Sequence, residues 1–288
     1  MIRERHVRAT AIVFLSLCAS TWVLFLAFGL QSVSAGTLPT HASFPVSPIQ
    51  SANAITSYIY LPMVGRNISC PIPGGSYGTV AVLSAPTNPP AEVHPDLNLA
   101  MRGYTPTVST LGLVDLGGTL SDPFAPQLAT LFTDNRVPIF KRLFQVYDWD
   151  WVNNVRGQPL TTWDVTLVGV AVPQGEPVCT PTSGYDIGRQ ATGFSVMVLY
   201  ASANRITLKY TREDNVINGY TIHIENINVD PSLLALYQSM NNAGRSYLPA
   251  LYARQQIGRA ITTELEIAIR DTGEFMDPRS RKDWWQGK

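Results

Sequence analysis

Three short stretches late in the chain alternate apolar and polar residues with a period of two. In 205–211, Ile206, Leu208 and Tyr210 fall on one side, and Arg205, Thr207 and Lys209 on the other. In 220–226, Tyr220, Ile222 and Ile224 alternate with Thr221, His223 and Glu225. In 264–270, Leu265, Ile267 and Ile269 oppose Glu264, Glu266 and Arg270. A repeat of two is that of a β-strand, whose successive side chains point to opposite faces. The expectation is a set of antiparallel strands with an apolar side inward and a polar side in water.

The surrounding residues agree with this. The run 195–200 is continuously apolar, and 212–219 is a polar hairpin loop ending in Asn218-Gly219. One helix interrupts the strands. Asp230 suits its N-cap and Pro231 its first residue, while Leu233, Leu236, Tyr237 and Met240 keep a helical period and Gly244 stands at the C′ position. Upstream, 79–83, 108–116, 139–147 and 165–172 read as short strands between Gly, Pro and Asp. The fold class expected is mainly β. An antiparallel β domain with one inserted helix occupies 179–288, preceded by a β-rich unit at 70–178.

The beginning of the chain predicts its compartment. Arg3, Arg5 and Arg8 precede a run from Ala9 to Leu30 that holds no charged residue. At about 1.5 Å per residue, that run matches the ~30 Å core of a bilayer. Residues 1–35 are therefore expected to be a signal peptide or a membrane anchor. Val33-Ser34-Ala35 before Gly36 favours cleavage, and the length of the run favours retention. Residues 36–69 have the Pro, Ser and Thr content of a linker. The location expected is extracytoplasmic, either secreted or membrane-anchored.

Two cysteines follow the leader, Cys70 and Cys179. In an oxidising compartment they are expected to pair, the alternative being two unrelated buried thiols. Lys plus Arg and Asp plus Glu both number 21, and no basic stripe carries interleaved aromatics. Nucleic acid is not an expected partner.

Two groups in the first unit are unusual: His94-Pro95-Asp96-Leu97-Asn98 and Asp148-Trp149-Asp150-Trp151. On a strand, the second would put both acids on one face and both indoles on the other. That pattern gives either a sugar-stacking platform or core indoles with acids in water. His94 is either a loop residue held by a hydrogen bond or a ligand. The tail Arg279-Ser280-Arg281-Lys282-Asp283-Trp284-Trp285 either docks its indoles on the domain or meets an anionic surface.

The stretch from Thr180 to Trp285 resembles the lysostaphin-like zinc endopeptidases, which cut peptidoglycan cross-bridges. Thr182-Ser183-Gly184-Tyr185-Asp186 stands where that family has His-x-Gly-x-Asp, and Thr221-Ile222-His223-Ile224 is similar to its Tyr-x-His-Leu strand. Arg254-Gln255-Gln256-Ile257-Gly258 resembles its Gly-Gln-x-Ile-Gly turn. Glu264-Leu265-Glu266, followed by Gly273 and Asp277-Pro278, resembles its closing His-x-His strand. The resemblance implies a degenerate copy. Thr182, Glu264 and Glu266 replace imidazoles, while Asp186 and His223 match.

Zinc hydrolases generally use three protein ligands with imidazole prominent. The first expectation is therefore an exported, non-catalytic relative that acts in cell-wall binding, scaffolding or hydrolase regulation, with no cofactor. Its partners would be the cell envelope, peptidoglycan or an envelope hydrolase, and the membrane if the leader is uncut. The second is an active hydrolase with an altered site. There His223 or Glu264 would be the general base, and Asp186 and Glu266 would hold zinc or another divalent metal. Active or not, the resemblance implies that the four side chains meet around one groove. The third is an extracytoplasmic β module that binds carbohydrate or protein.

Overall fold

A computed structural model of the chain describes residues 69–118, 120–188 and 192–288. The expected leader and the linker up to residue 68 lie outside the described residues. The strands in chain order begin with β1 (Gly78–Ala81), β2 (Tyr104–Pro106), β3 (Phe140–Asp150) and β4 (Val155–Pro159). They continue with β5 (Leu167–Ala171), β6 (Pro177–Cys179), β7 (Val196–Ser202), β8 (Arg205–Lys209) and β9 (Tyr220–Glu225). The last are β10 (Ile227–Val229), β11 (Tyr247–Leu251), β12 (Gln256–Ala260), β13 (Glu264–Asp271) and β14 (Glu274–Met276). The α-helices described are α1 (Leu99–Arg102), α2 (Pro231–Asn242) and α3 (Arg281–Trp284).

The main sheet runs β1-β11-β7-β8-β9-β13-β5-β3-β2, with β14 on β13 and β4 on β3. A second, three-stranded sheet has the order β10-β12-β6. Every ladder between these strands is antiparallel, so the mainly β class expected from alternation is what forms. The register aligns the apolar positions in rows: Ile206 with Ile224 and Ile267, and Leu208 with Ile222 and Ile269. These side chains are fully or almost fully buried, each worth roughly 1.5–3 kcal/mol of transfer free energy.

Trp284 and Trp285 close this side of the core. Their indole nitrogens donate to the carbonyls of Asp277 and Pro278 at 2.9 and 2.8 Å, so the tail docks on the domain. Helix α2 starts as its sequence predicts. The Asp230 carboxylate accepts from the Ser232 amide at 2.9 Å, and Gly244 lies just beyond the C-cap with φ 89°.

Three expectations change. The boundary placed between 178 and 179 falls inside one compact unit, because β5 on one side of it pairs with β13 on the other. The segment 108–116 is not a strand, and β2 precedes it. Most consequential, the polar side of β8, β9 and β13 is not in water. Thr207, Lys209, Thr221, His223, Glu225, Glu264, Glu266 and Arg270 are all buried. Alternation shows which residues share a face, but not what covers it. Here the cover is the turn 94–98, α1, Tyr104 and Phe275, which add a small apolar cluster of Leu99, Phe144, Ala268 and Phe275.

Candidate functional site

The covered polar face is built in rows across three strands. Lys209, Thr221 and Arg270 form one, Thr207, His223 and Ala268 the next, and Arg205, Glu225 and Glu266 the third. Glu264 lies one same-face step further along β13. A side chain at position 169 on β5 would overlap its carboxylate, which is why Gly169 stands there.

Each charge on this face has a partner. Glu225 and Glu266 sit opposite each other, an unfavourable cross-strand pairing. Arg205 Nε reaches Glu225 at 3.2 Å, while burial, opposed by Arg205, raises the Glu225 carboxyl above its ordinary range. Glu266 accepts from the Tyr104 hydroxyl and from Arg142 Nη2 at 3.3 Å. Arg142 Nε also donates to Glu264 at 2.8 Å, and Lys141 Nζ lies 3.6 Å from the same carboxylate. At the far end one oxygen of Asp96 is shared by Arg102 at 2.7 Å and Arg270 at 2.9 Å. Burial opposes the ionisation of Asp96, but Arg270 and Arg102 outweigh it and hold the carboxyl below its ordinary range.

His223 is at the centre. Its Nδ1 lies 3.0 Å from Thr207 Oγ1, and its ring stacks on Phe275 with centroids 5.9 Å apart. Nε2 is buried and, among the described residues, has no hydrogen-bond partner. Burial, reinforced by Arg270, pushes the imidazole down to about 3. A general base works best with a pKa near the operating pH and within reach of a substrate proton. His223 has neither property. Lys209, buried beside it, is pushed down to about 7 by burial, with Glu213 opposing, and it donates to the Asn218 carbonyl.

The four residues singled out from the sequence do not meet around one groove. His223, Glu266 and Glu264 share the covered face of the sheet. Asp186 belongs to a loop on the other side. Its neighbour Tyr185 packs on Tyr220, which shares the face of Ile222 and Ile224, and Ile187 joins the apolar core. Asp186 Oδ1 accepts from the Gly188 amide at 2.7 Å. Among the described residues no group of three or more His, Cys, Asp or Glu is placed to hold a metal ion. Glu264 and Glu266, expected on a face in water, are instead buried against Arg142, Lys141 and Tyr104. The Thr182 amide donates to Thr130 Oγ1 at 2.8 Å.

Cys70 and Cys179 are joined, with Cα atoms 5.6 Å apart. The bridge ties the start of the folded region to β6 and is consistent with a location outside the cytoplasm. Among the described residues no helix is long and apolar enough to cross a membrane. His94 is a loop residue held by a hydrogen bond, its Nδ1 accepting from the Asp96 amide at 3.1 Å. The Asp148-Trp149-Asp150-Trp151 group does not form a two-indole platform. Trp149 is buried, and Trp151 lies in the turn after β3, about half exposed.

The residues missed by sequence reasoning are Arg102 and Tyr104 of the cover and Arg142 of β3. Arg102 and Tyr104 come from a one-turn helix and the edge strand β2, which no periodicity marks, and Arg142 lies on a strand between β5 and β2 whose alternation does not single it out. No protein-family model, curated protein or solved structure matches this chain.

Proposed function

We infer that this chain is an exported, non-catalytic protein that acts by binding in the cell envelope. The observation that carries this reading is the closed state of the face bearing His223, Glu264 and Glu266. Arg142 and Tyr104 satisfy the two carboxylates, and the His223 lone pair is buried away from any substrate. A metal hydrolase needs an open coordination position and converging ligands. Here the carboxylates are engaged by cations, and Asp186 is on the other side of the sheet. The disulfide supports the compartment.

A second reading is favoured by the position of Asp186. In it the likeness in motif order is coincidental, and the chain is an extracytoplasmic β module with no relation to peptidases. Co-sedimentation tests both. The chain should pellet with insoluble cell-wall sacculi and stay in the supernatant without them. A chain that stays soluble with sacculi would remove the envelope from the account.

A further inference from the structure

Both unusual groups of the first half of the chain meet at one place. A cleft of about 260 Å³ opens beside Phe275, lined by Asp96 and Arg102 from the first group's neighbourhood and by Asp148 and Trp151 from the second. Arg270, Thr272 and Glu274 from the β13–β14 hairpin complete its polar lining. The two segments are 46 residues apart in sequence where Arg102 Nη1 reaches Asp148 Oδ1, at 3.5 Å.

We propose that this cleft binds a single ring of a neutral saccharide, the indole of Trp151 carrying the ring and Asp148 and Glu274 accepting from its hydroxyls. The proposal rests on the reading that the chain acts by binding. Its chemistry follows from what is left unsatisfied. The lining holds two guanidiniums and three carboxylates, and most of that charge is internally consumed. Asp96 holds both arginines, and Arg270 Nε donates to the Gly273 carbonyl at 2.8 Å. An anionic ligand would meet three carboxylates, and a cationic one two arginines that are already in place. A polyhydroxylated neutral ring meets neither penalty.

The acceptors available to such a ring are specific. Asp148 Oδ1 takes the Trp149 amide at 2.7 Å as well as Arg102, whereas no hydrogen bond among the described residues uses Asp148 Oδ2 or the Glu274 carboxylate. A hydroxyl donating to a carboxylate makes a charge-assisted bond, roughly twice as strong as a neutral one. The side chain of Asp148 is 62% exposed, so its free oxygen is reachable.

Trp151 supplies the apolar surface. It is 52% exposed, and its ring makes a T-shaped contact with His94, centroids 5.7 Å apart. The turn that carries it is pinned by Asp150, whose Oδ1 accepts from the amides of Val152 and Asn153, both at 3.0 Å. A flat, half-exposed indole held in position matches the C–H face of a pyranose with little ordering cost. The volume is below the roughly 300–1,000 Å³ of pockets that enclose a drug-sized molecule, so one ring fits and the rest of a glycan lies outside.

The test is calorimetric titration of the whole chain with cellotetraose and with the N-acetylglucosamine tetramer. Saturable binding of either sugar is expected, weakened at least tenfold in Trp151→Ala and in Asp148→Asn. Both substitutions are at exposed positions, and circular dichroism checks that each variant folds. No saturable binding of either sugar at millimolar concentration, or unchanged affinity in Trp151→Ala, overturns the proposal. So does saturable binding of a lysine-containing peptide that Asp148→Asn abolishes, because the cleft would then take a cation. Shortened sugar or peptide products from sacculi would instead count against the non-catalytic reading, whatever the titration gives.

Discussion

Thr207 and His223 face each other across β8 and β9, with 3.0 Å between Oγ1 and Nδ1. The Thr207 hydroxyl has one proton, and it points to the Leu97 carbonyl at 2.6 Å. The bond to the imidazole must then run from Nδ1–H to Oγ1, which fixes the neutral tautomer with the proton on Nδ1. Nitrogen NMR of the His223 ring near neutral pH should show that tautomer. Thr207→Val removes the bond to Leu97 and should lower stability by about 1–3 kcal/mol in urea unfolding. An Nε2-protonated ring, or no loss of stability, would contradict the arrangement.

The same buried groups make stability depend on pH. His223 titrates at about 3 in the fold against an ordinary 6.5, so below 6.5 the unfolded chain binds more protons. The stability tied to neutral His223 is complete above 6.5 and is lost as pH falls toward 3. Lys209 titrates at about 7 against 10.5, so between these values the unfolded chain again holds the extra proton and stability rises with pH. Thermal melts should show both slopes. His223→Gln should flatten the acid one and Lys209→Met the alkaline one; slopes identical to those of the parent protein would refute the assignment.

The carboxylates of β13 give a third expectation. Arg142 is the partner common to Glu264 and Glu266, so Arg142→Ala should lower stability by about 1–3 kcal/mol. Adding Glu264→Gln should recover part of that loss, because the stranded charge is removed. Four urea curves complete the cycle, and strictly additive effects would mean the two residues do not interact.

The Cys70–Cys179 bridge closes a loop with a sequence separation of 109 residues. Its reduction should lower unfolding stability by about 2–5 kcal/mol. Equal denaturant midpoints with and without reductant would show that the bridge contributes nothing.

The strands on which His223 and the two glutamates lie were legible because period-two alternation in 205–211, 220–226 and 264–270 is a local property. Asp230, Pro231 and Gly244 marked α2 for the same reason. The burial of the polar face was not legible. It depends on Asp96, Leu97, Arg102 and Tyr104 crossing over β8, β9 and β13 from more than a hundred residues upstream in sequence. Arg142 sits on β3, whose own alternation is broken by a register shift between Phe140 and Arg142. The side of the sheet taken by Asp186 is likewise decided by packing of Tyr185 and Ile187 rather than by its motif. Cys70 and Cys179 were legible because, with the leader set aside, no other cysteine competes.

The most direct test of a non-catalytic role is release of soluble peptide from purified peptidoglycan by the chain supplied with zinc, measured with and without a chelator. The closed face of His223, Glu264 and Glu266 predicts no release above the protein-free control under either condition. Release that depends on added zinc and is abolished by the chelator would contradict it.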